Sequence, residues 1–135
     1  MGSYSGNYRS DPPIAPLPVI DRVSFKEAVI RTINFTDTVV LDTGADVSNI
    51  PLALVSRHSL PVRDWEEVRW PDGSVRRCNV YLLEVKVPGL AAVIERFIDY
   101  GFQEVMLGRP VLNKWRVVLD PSRKGSGNSD IEIED

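Results

Sequence analysis

One acidic residue in this chain stands where a strand rarely delivers a charge. Asp42 ends the apolar run Thr38-Val39-Val40-Leu41 and opens the turn Thr43-Gly44-Ala45, which is followed by Asp46-Val47-Ser48. A buried Asp is costly unless it is paired or put to use. The chemistry open to such a group is hydrolysis. Two neighbouring carboxylates can divide the work on a peptide bond: the ionised one takes a proton from a water, and the protonated one polarises the scissile carbonyl. A few ångströms apart they cannot both ionise easily, so they share a proton and titrate as a pair.

The chain offers no second Asp-(Thr/Ser)-Gly. The nearest fragment, Asp72-Gly73-Ser74, lacks the intervening hydroxyl residue, and no internal repeat is visible. The second carboxylate must then come from a second chain, with a two-fold axis setting Asp42 opposite its own copy. The neighbours of Asp42 suit that use. Thr43 has a hydroxyl that donates and accepts, able to tie two loops across an axis. Gly44 permits positive φ and close backbone approach. Ala45 leaves room for a substrate backbone. Asp46 needs a cation if it is partly buried, and Arg109, at the end of Val105-Met106-Leu107-Gly108-Arg109, is the candidate.

The segment Val40-Leu41-Asp42-Thr43-Gly44-Ala45-Asp46 resembles the active-site loop of retropepsins, the single-lobe aspartic peptidases of retroviruses and their cellular relatives. Met106-Leu107-Gly108-Arg109, then Pro110-Val111-Leu112-Asn113, is similar to that family's second signature of two apolar residues, Gly, Arg and a short helix. About sixty residues and a hairpin separate the two, in the family's order. The Asp-Gly hairpin is closer to the short flaps of bacterial-type members. The resemblance covers residues 19–120. It implies a closed, mostly β, barrel-like domain with one short C-terminal helix. It implies Asp42 as the catalytic carboxylate and Thr43 as the cross-dimer hydroxyl, with Gly44 and Ala45 against substrate. It further implies a supporting Asp46–Arg109 pair after Gly108, and a flap of Trp70, Asp72, Gly73 and Ser74. The enzyme so implied is a homodimer that cuts extended peptide or protein substrates, with no metal or organic cofactor. The rival expectation is a non-catalytic peptide-binding or dimerisation module of the same fold.

Short β-branched runs punctuated by polar residues must hold these motifs in place. They predict strands over 19–25, 28–35 and Thr38–Leu41. Pro51 suits the first turn of a short helix. Strands over 67–70 and 75–83, the second continuing through 84–87, flank Pro71-Asp72-Gly73-Ser74, and Asp-Gly between strands marks a hairpin. Further strands are expected over 91–98, Val105–Leu107 and, as the last, 115–119, with a single helical turn over 110–113. Residues 1–18 carry four prolines and read as an extended arm. Residues 121–135 read as a flexible tail, in which Ile131 and Ile133 alternate with acids over too short a span to assign.

The bland alternatives are local. Asp and Gly are common turn formers, so Asp42-Thr43-Gly44 alone could be a turn; the Gly108-Arg109 segment is what weighs against that. His58 reads as a solvated or capping residue near a helix end. Cys78 reads as a strand residue, and Trp65, Trp70 and Trp115 as packing anchors. Arg76-Arg77 and Arg123-Lys124 read as solvated. With 135 residues and 43% hydrophobic content the chain is one domain with a modest core. A net charge of −3 gives no reason to expect nucleic acid or an anionic membrane. No apolar run is long enough to span a bilayer. One cysteine precludes an internal disulfide and a cysteine-based metal site, and a reducing, cytoplasmic setting is expected.

Overall fold

A computed structural model describes residues 2–10, 21–24, 28–30, 33–35 and 38–135. The expected arm over 11–18 lies outside them. The chain is mainly β. Its strands are β1 (Ser3–Gly6), β2 (Tyr8–Ser10), β3 (Asp21–Ser24), β4 (Ala28–Ile30), β5 (Ile33–Phe35), β6 (Thr38–Leu41), β7 (Ser48–Asn49), β8 (Asp64–Arg69), β9 (Val75–Lys86), β10 (Val93–Ile98), β11 (Val105–Leu107), β12 (Arg116–Leu119) and β13 (Ile131–Glu134). Two short helices, α1 (Leu52–His58) and α2 (Arg109–Leu112), interrupt them. None of the described helices is long and apolar enough to cross a membrane.

The larger sheet runs β2-β3-β6-β11-β7-β10-β9-β4-β5, with β8 paired to β9. Among the described residues this path is open at β2 and β5 and does not close on itself as a barrel. At its centre β11 pairs parallel with β6, Leu107 opposite Leu41, and antiparallel with β7 at Met106 and Asn49. β11 and residues 39–41 of β6 are buried on both faces, which explains their unbroken Val, Met and Leu content. The main core gathers Val39, Leu41, Ile50, Tyr81, Leu83, Phe97, Val105, Leu107 and Val111. A second cluster packs Cys78, Val80 and Ile98 with Val47, Val68, Trp70 and Tyr100.

The smaller sheet corrects the expected ends of the chain. Its order is β1-β13-β12, antiparallel throughout. Residues 131–135, read as part of a flexible tail, instead supply the central strand, and β12 is not the last. Ile131 and Ile133 are fully buried, while Glu132 and Glu134 lie on the opposite face. The alternation carried the information, but four residues are too few to separate a strand from a tail until β1 and β12 supply its partners. Ser3–Gly6, within the expected extended arm, is the strand that completes the pairing.

Candidate active site

The Asp42 turn is held by the strands beneath it. The Asp42 N–H donates to the Leu107 carbonyl at 3.0 Å, continuing the β6–β11 ladder for one residue. Asp42 is half-buried, and Thr43 and Gly44 are exposed. The Ala45 N–H donates to the Asp42 carbonyl at 3.2 Å, closing the turn, and the Gly44 N–H donates to Asp42 Oδ1 at 2.9 Å. One carboxylate oxygen is therefore fixed by the backbone two residues on. Of the two uses expected for Gly44, positive φ is not one: its φ is not in the left-handed region. A Cβ there would meet only Asp42 Oδ1, at 3.3 Å. Glycine at this position keeps the space beside the carboxylate open.

The two sequence motifs meet across this turn. Gly108 is buried, and its N–H donates to the Ser48 hydroxyl at 3.0 Å. The Arg109 N–H donates to the Ala45 carbonyl at 2.9 Å. A Cβ on Gly108 would lie 2.1 Å from the Val47 carbonyl oxygen and 3.0 Å from that of Ala45, so only glycine lets the two backbones approach this closely. The Arg109 guanidinium is ion-paired with the Asp46 carboxylate. The side chains are 48% and 77% exposed respectively, so the pair orients the loop more than it stabilises the fold.

Sequence reasoning missed Asn49. It is fully buried and spends its amide on a loop far away in sequence. Its Nδ2 donates to the carbonyls of Phe102 at 3.2 Å and Glu104 at 2.8 Å, and its Oδ1 accepts from the Tyr100 N–H at 2.7 Å. The signal was present as two polar residues, Ser48-Asn49, between apolar Val47 and Ile50. Both turn inward and satisfy backbone groups of the loop before β11 and of Gly108 just after it.

The hairpin of β8 and β9 turns at residues 70–74. The Trp70 N–H donates to the Ser74 carbonyl and the Gly73 N–H to the Trp70 carbonyl, at 2.8 and 2.9 Å. Gly73 has φ +87°, which favours glycine, and nothing lies within 4 Å of where its Cβ would be. The Ser74 hydroxyl and N–H both donate to Asp72, which holds that carboxyl below its ordinary range. The tip is exposed, whereas its base is anchored. Trp70 stacks on Tyr100 with centroids 4.2 Å apart and planes parallel to 1°, in the cluster that also takes in Val47 from the Asp42 side. Arg76 and Arg77, expected to be solvated, lie over the rings of Trp70 and Trp65 at 4.6 and 4.0 Å.

Two further candidates lie on other elements. Cys78 is buried in the second cluster, and burial pushes its thiol up from the ordinary value, away from a nucleophilic thiolate. His58 sits in the last turn of α1. Among the described residues no group of His, Cys, Asp and Glu is placed to hold a metal. No protein-family model matches this chain, and no curated protein matches it significantly.

Proposed function

We propose that the protein is a retropepsin-like aspartic endopeptidase that works as a homodimer. One observation carries the reading: the Asp42 turn and the Gly108-Arg109 segment, recognised separately in the sequence, are joined by a backbone bond, a bond from the Gly108 N–H to the Ser48 hydroxyl and an ion pair, beside one half-buried carboxylate. In this reading each copy contributes one Asp42, and the pair activates a water against the scissile carbonyl. The Gly44 N–H steadies the carboxylate, and the exposed Thr43 faces the second copy. An extended peptide lies across the two-fold axis, its backbone bonded to the floor and to the 70–74 hairpin as an added strand. The finer fold in this reading is the single-lobe acid-protease fold, closed into a barrel by contacts beyond those of the described strands.

Digestion of a peptide library by the wild type beside Asp42→Asn, read by mass spectrometry, tests the proposal. The amide nearly keeps the shape but cannot serve as a general base. Cleavage by the wild type that Asp42→Asn abolishes supports the peptidase. Cleavage at the same bonds by both proteins overturns it. A folded wild type that binds peptides without cutting them favours the non-catalytic module.

A further inference from the structure

The loop after β10 and the start of α1 enclose a groove of about 590 Å³ that the Asp42 chemistry does not use. Leu52 and Ala53 line it from the helix, and Phe102 and Gln103 from the loop. All four are exposed, Leu52 to 63% and Phe102 to 49%. Asp99, just after β10, lines the groove too and is only half-buried. No residue of the 42–46 loop or of the 71–74 hairpin tip takes part. Clefts of about 300–1,000 Å³ are the usual size of sites for small ligands. The loop side of this one is formed in advance. The Phe102 ring packs on Tyr100 with centroids 5.1 Å apart, Tyr100 stacks on Trp70, and the Phe102 carbonyl accepts from Asn49 Nδ2 at 3.2 Å.

Asp99 lacks the cation that other carboxylates of this chain have found. Asp46 meets Arg109, Glu66 meets Arg96 and Glu95 meets Lys114. The Asp99 carboxylate accepts only from the backbone N–H groups of Asn79 and of Asp99 itself, and among the described residues no Lys or Arg pairs with it. Burial pushes it above its ordinary range. Two N–H donors leave lone pairs on a carboxylate unspent. A half-buried acid without a counter-charge costs stability, and a cost of that kind in a cleft points to a site in use.

We propose that this groove docks an arginine side chain of a partner peptide, with the guanidinium on the Asp99 carboxylate and the stem against Phe102 and Leu52. Charge complementarity selects the occupant. An anion would face Asp99 directly. A wholly apolar group would strip water from the carboxylate and leave it unpaired. A metal ion needs several donors, and among the described residues no such group is assembled. Between the two basic side chains the walls favour arginine. Its guanidinium is more weakly hydrated than an ammonium, forks onto a carboxylate and stacks on an aromatic face. The long stem covers apolar surface on the way in. The groove has room beyond one side chain, so an apolar neighbour of the arginine settles on Leu52. The inference goes beyond the peptidase reading and does not depend on it, since docking needs no cleavage.

Binding of fluorescently labelled acetyl-Leu-Arg-Leu-amide to the full chain, followed by anisotropy, tests the groove. The comparison peptide carries citrulline, a neutral isostere, in place of arginine. Wild type should bind the arginine peptide about tenfold more tightly than the citrulline peptide. Asp99→Asn should weaken the arginine peptide about tenfold and leave the citrulline peptide nearly unchanged, so the discrimination collapses. Phe102→Ala should weaken the arginine peptide about threefold. Glu67→Gln removes an exposed carboxylate outside the groove and should change neither affinity. Melting curves confirm that each variant is folded. The series is run with wild-type Asp42 and again with Asp42→Asn, so that cutting of the probe cannot pass for weak binding. Backbone amide shifts on titration should centre on residues 52–53 and 99–103. Equal binding of the two peptides, discrimination that survives Asp99→Asn, or shifts centred on residues 42–46 overturn the site.

Discussion

Gly108→Ala is expected to be among the most damaging single-methyl additions in the chain. The new Cβ would sit 2.1 Å from the Val47 carbonyl oxygen, 2.8 Å from its carbon and 3.0 Å from the Ala45 oxygen. All three are backbone atoms, so no side chain can swing away. Ordinary contact between carbon and its neighbours begins at about 3.5 Å, so the two segments must part by roughly 1 Å. Overpacking of this kind costs about 1–3 kcal/mol. The same shift strains the Gly108–Ser48 and Arg109–Ala45 bonds, of 3.0 and 2.9 Å, each worth about 0.5–1.5 kcal/mol. Stiffening the unfolded chain returns about 0.4–1 kcal/mol. The net expectation is a loss of about 2–5 kcal/mol, a large part of the roughly 5–15 kcal/mol that holds a domain together. Urea unfolding reads this directly: with a slope of about 2 kcal/mol per molar, the middle of the usual range, the midpoint should fall by about 1–2.5 M. Gly44→Ala is the control, because its Cβ meets only Asp42 Oδ1 at 3.3 Å and its φ is ordinary; it should cost under about 1 kcal/mol. A Gly108→Ala protein that unfolds at the wild-type midpoint, or a Gly44→Ala protein equally destabilised, would refute the packing argument.

Three further outcomes follow from the structure. Burial pushes the Asp99 carboxyl above its ordinary range, so the folded state holds that proton more tightly than the unfolded chain and loses stability as pH rises through the window between the two values. Asp99→Asn should therefore be more stable than wild type at pH 7, with the advantage fading as pH falls through that window and gone below the ordinary Asp range; an unchanged difference across the window in a pH series of melts would contradict it. Ile133→Ala removes a fully buried side chain from the central strand of the smaller sheet and should cost about 2–5 kcal/mol by denaturant unfolding, where a flexible tail would register nothing. Arg109→Lys breaks an exposed pair with Asp46, so stability should change by under about 1 kcal/mol, while peptide cleavage should fall because a lysine cannot reproduce the planar fork; equal activity would remove the orienting role.

What the sequence disclosed was local. The Asp42 turn, the Gly108-Arg109 partner and the Asp-Gly hairpin each announce themselves by residue type within a few positions, and the structure joins the first two. The short strands over Thr38–Leu41 and Val105–Leu107 were legible because buried parallel strands need continuous apolar runs. What escaped depends on distant partners. Asn49 looks like any loop polar residue until residues 100–104 come back to use its amide. Ile131 and Ile133 alternate as a strand should, yet their role depends on Ser3–Gly6 at the other end of the chain. Gly44 was expected to permit positive φ and close backbone approach; its φ is ordinary, and its use lies in the space beside Asp42 Oδ1. Arg76 and Arg77 are exposed, as expected; their contacts with the rings of Trp70 and Trp65 escaped because those rings are cross-strand or hairpin neighbours, not sequence neighbours along a helix face.

The central claim is that one active site needs two Asp42 carboxylates from two chains. Mixing measures it most directly. Wild type is held at a concentration where it is dimeric, and an equal amount of Asp42→Asn chain is added and allowed to exchange. Random pairing puts only half of the wild-type chains into dimers with two carboxylates, so peptide cleavage should fall to about half its starting rate and continue down as more variant is added. A rate that stays constant through a large excess of Asp42→Asn would mean that each chain cuts with its own carboxylate, and would contradict the shared site.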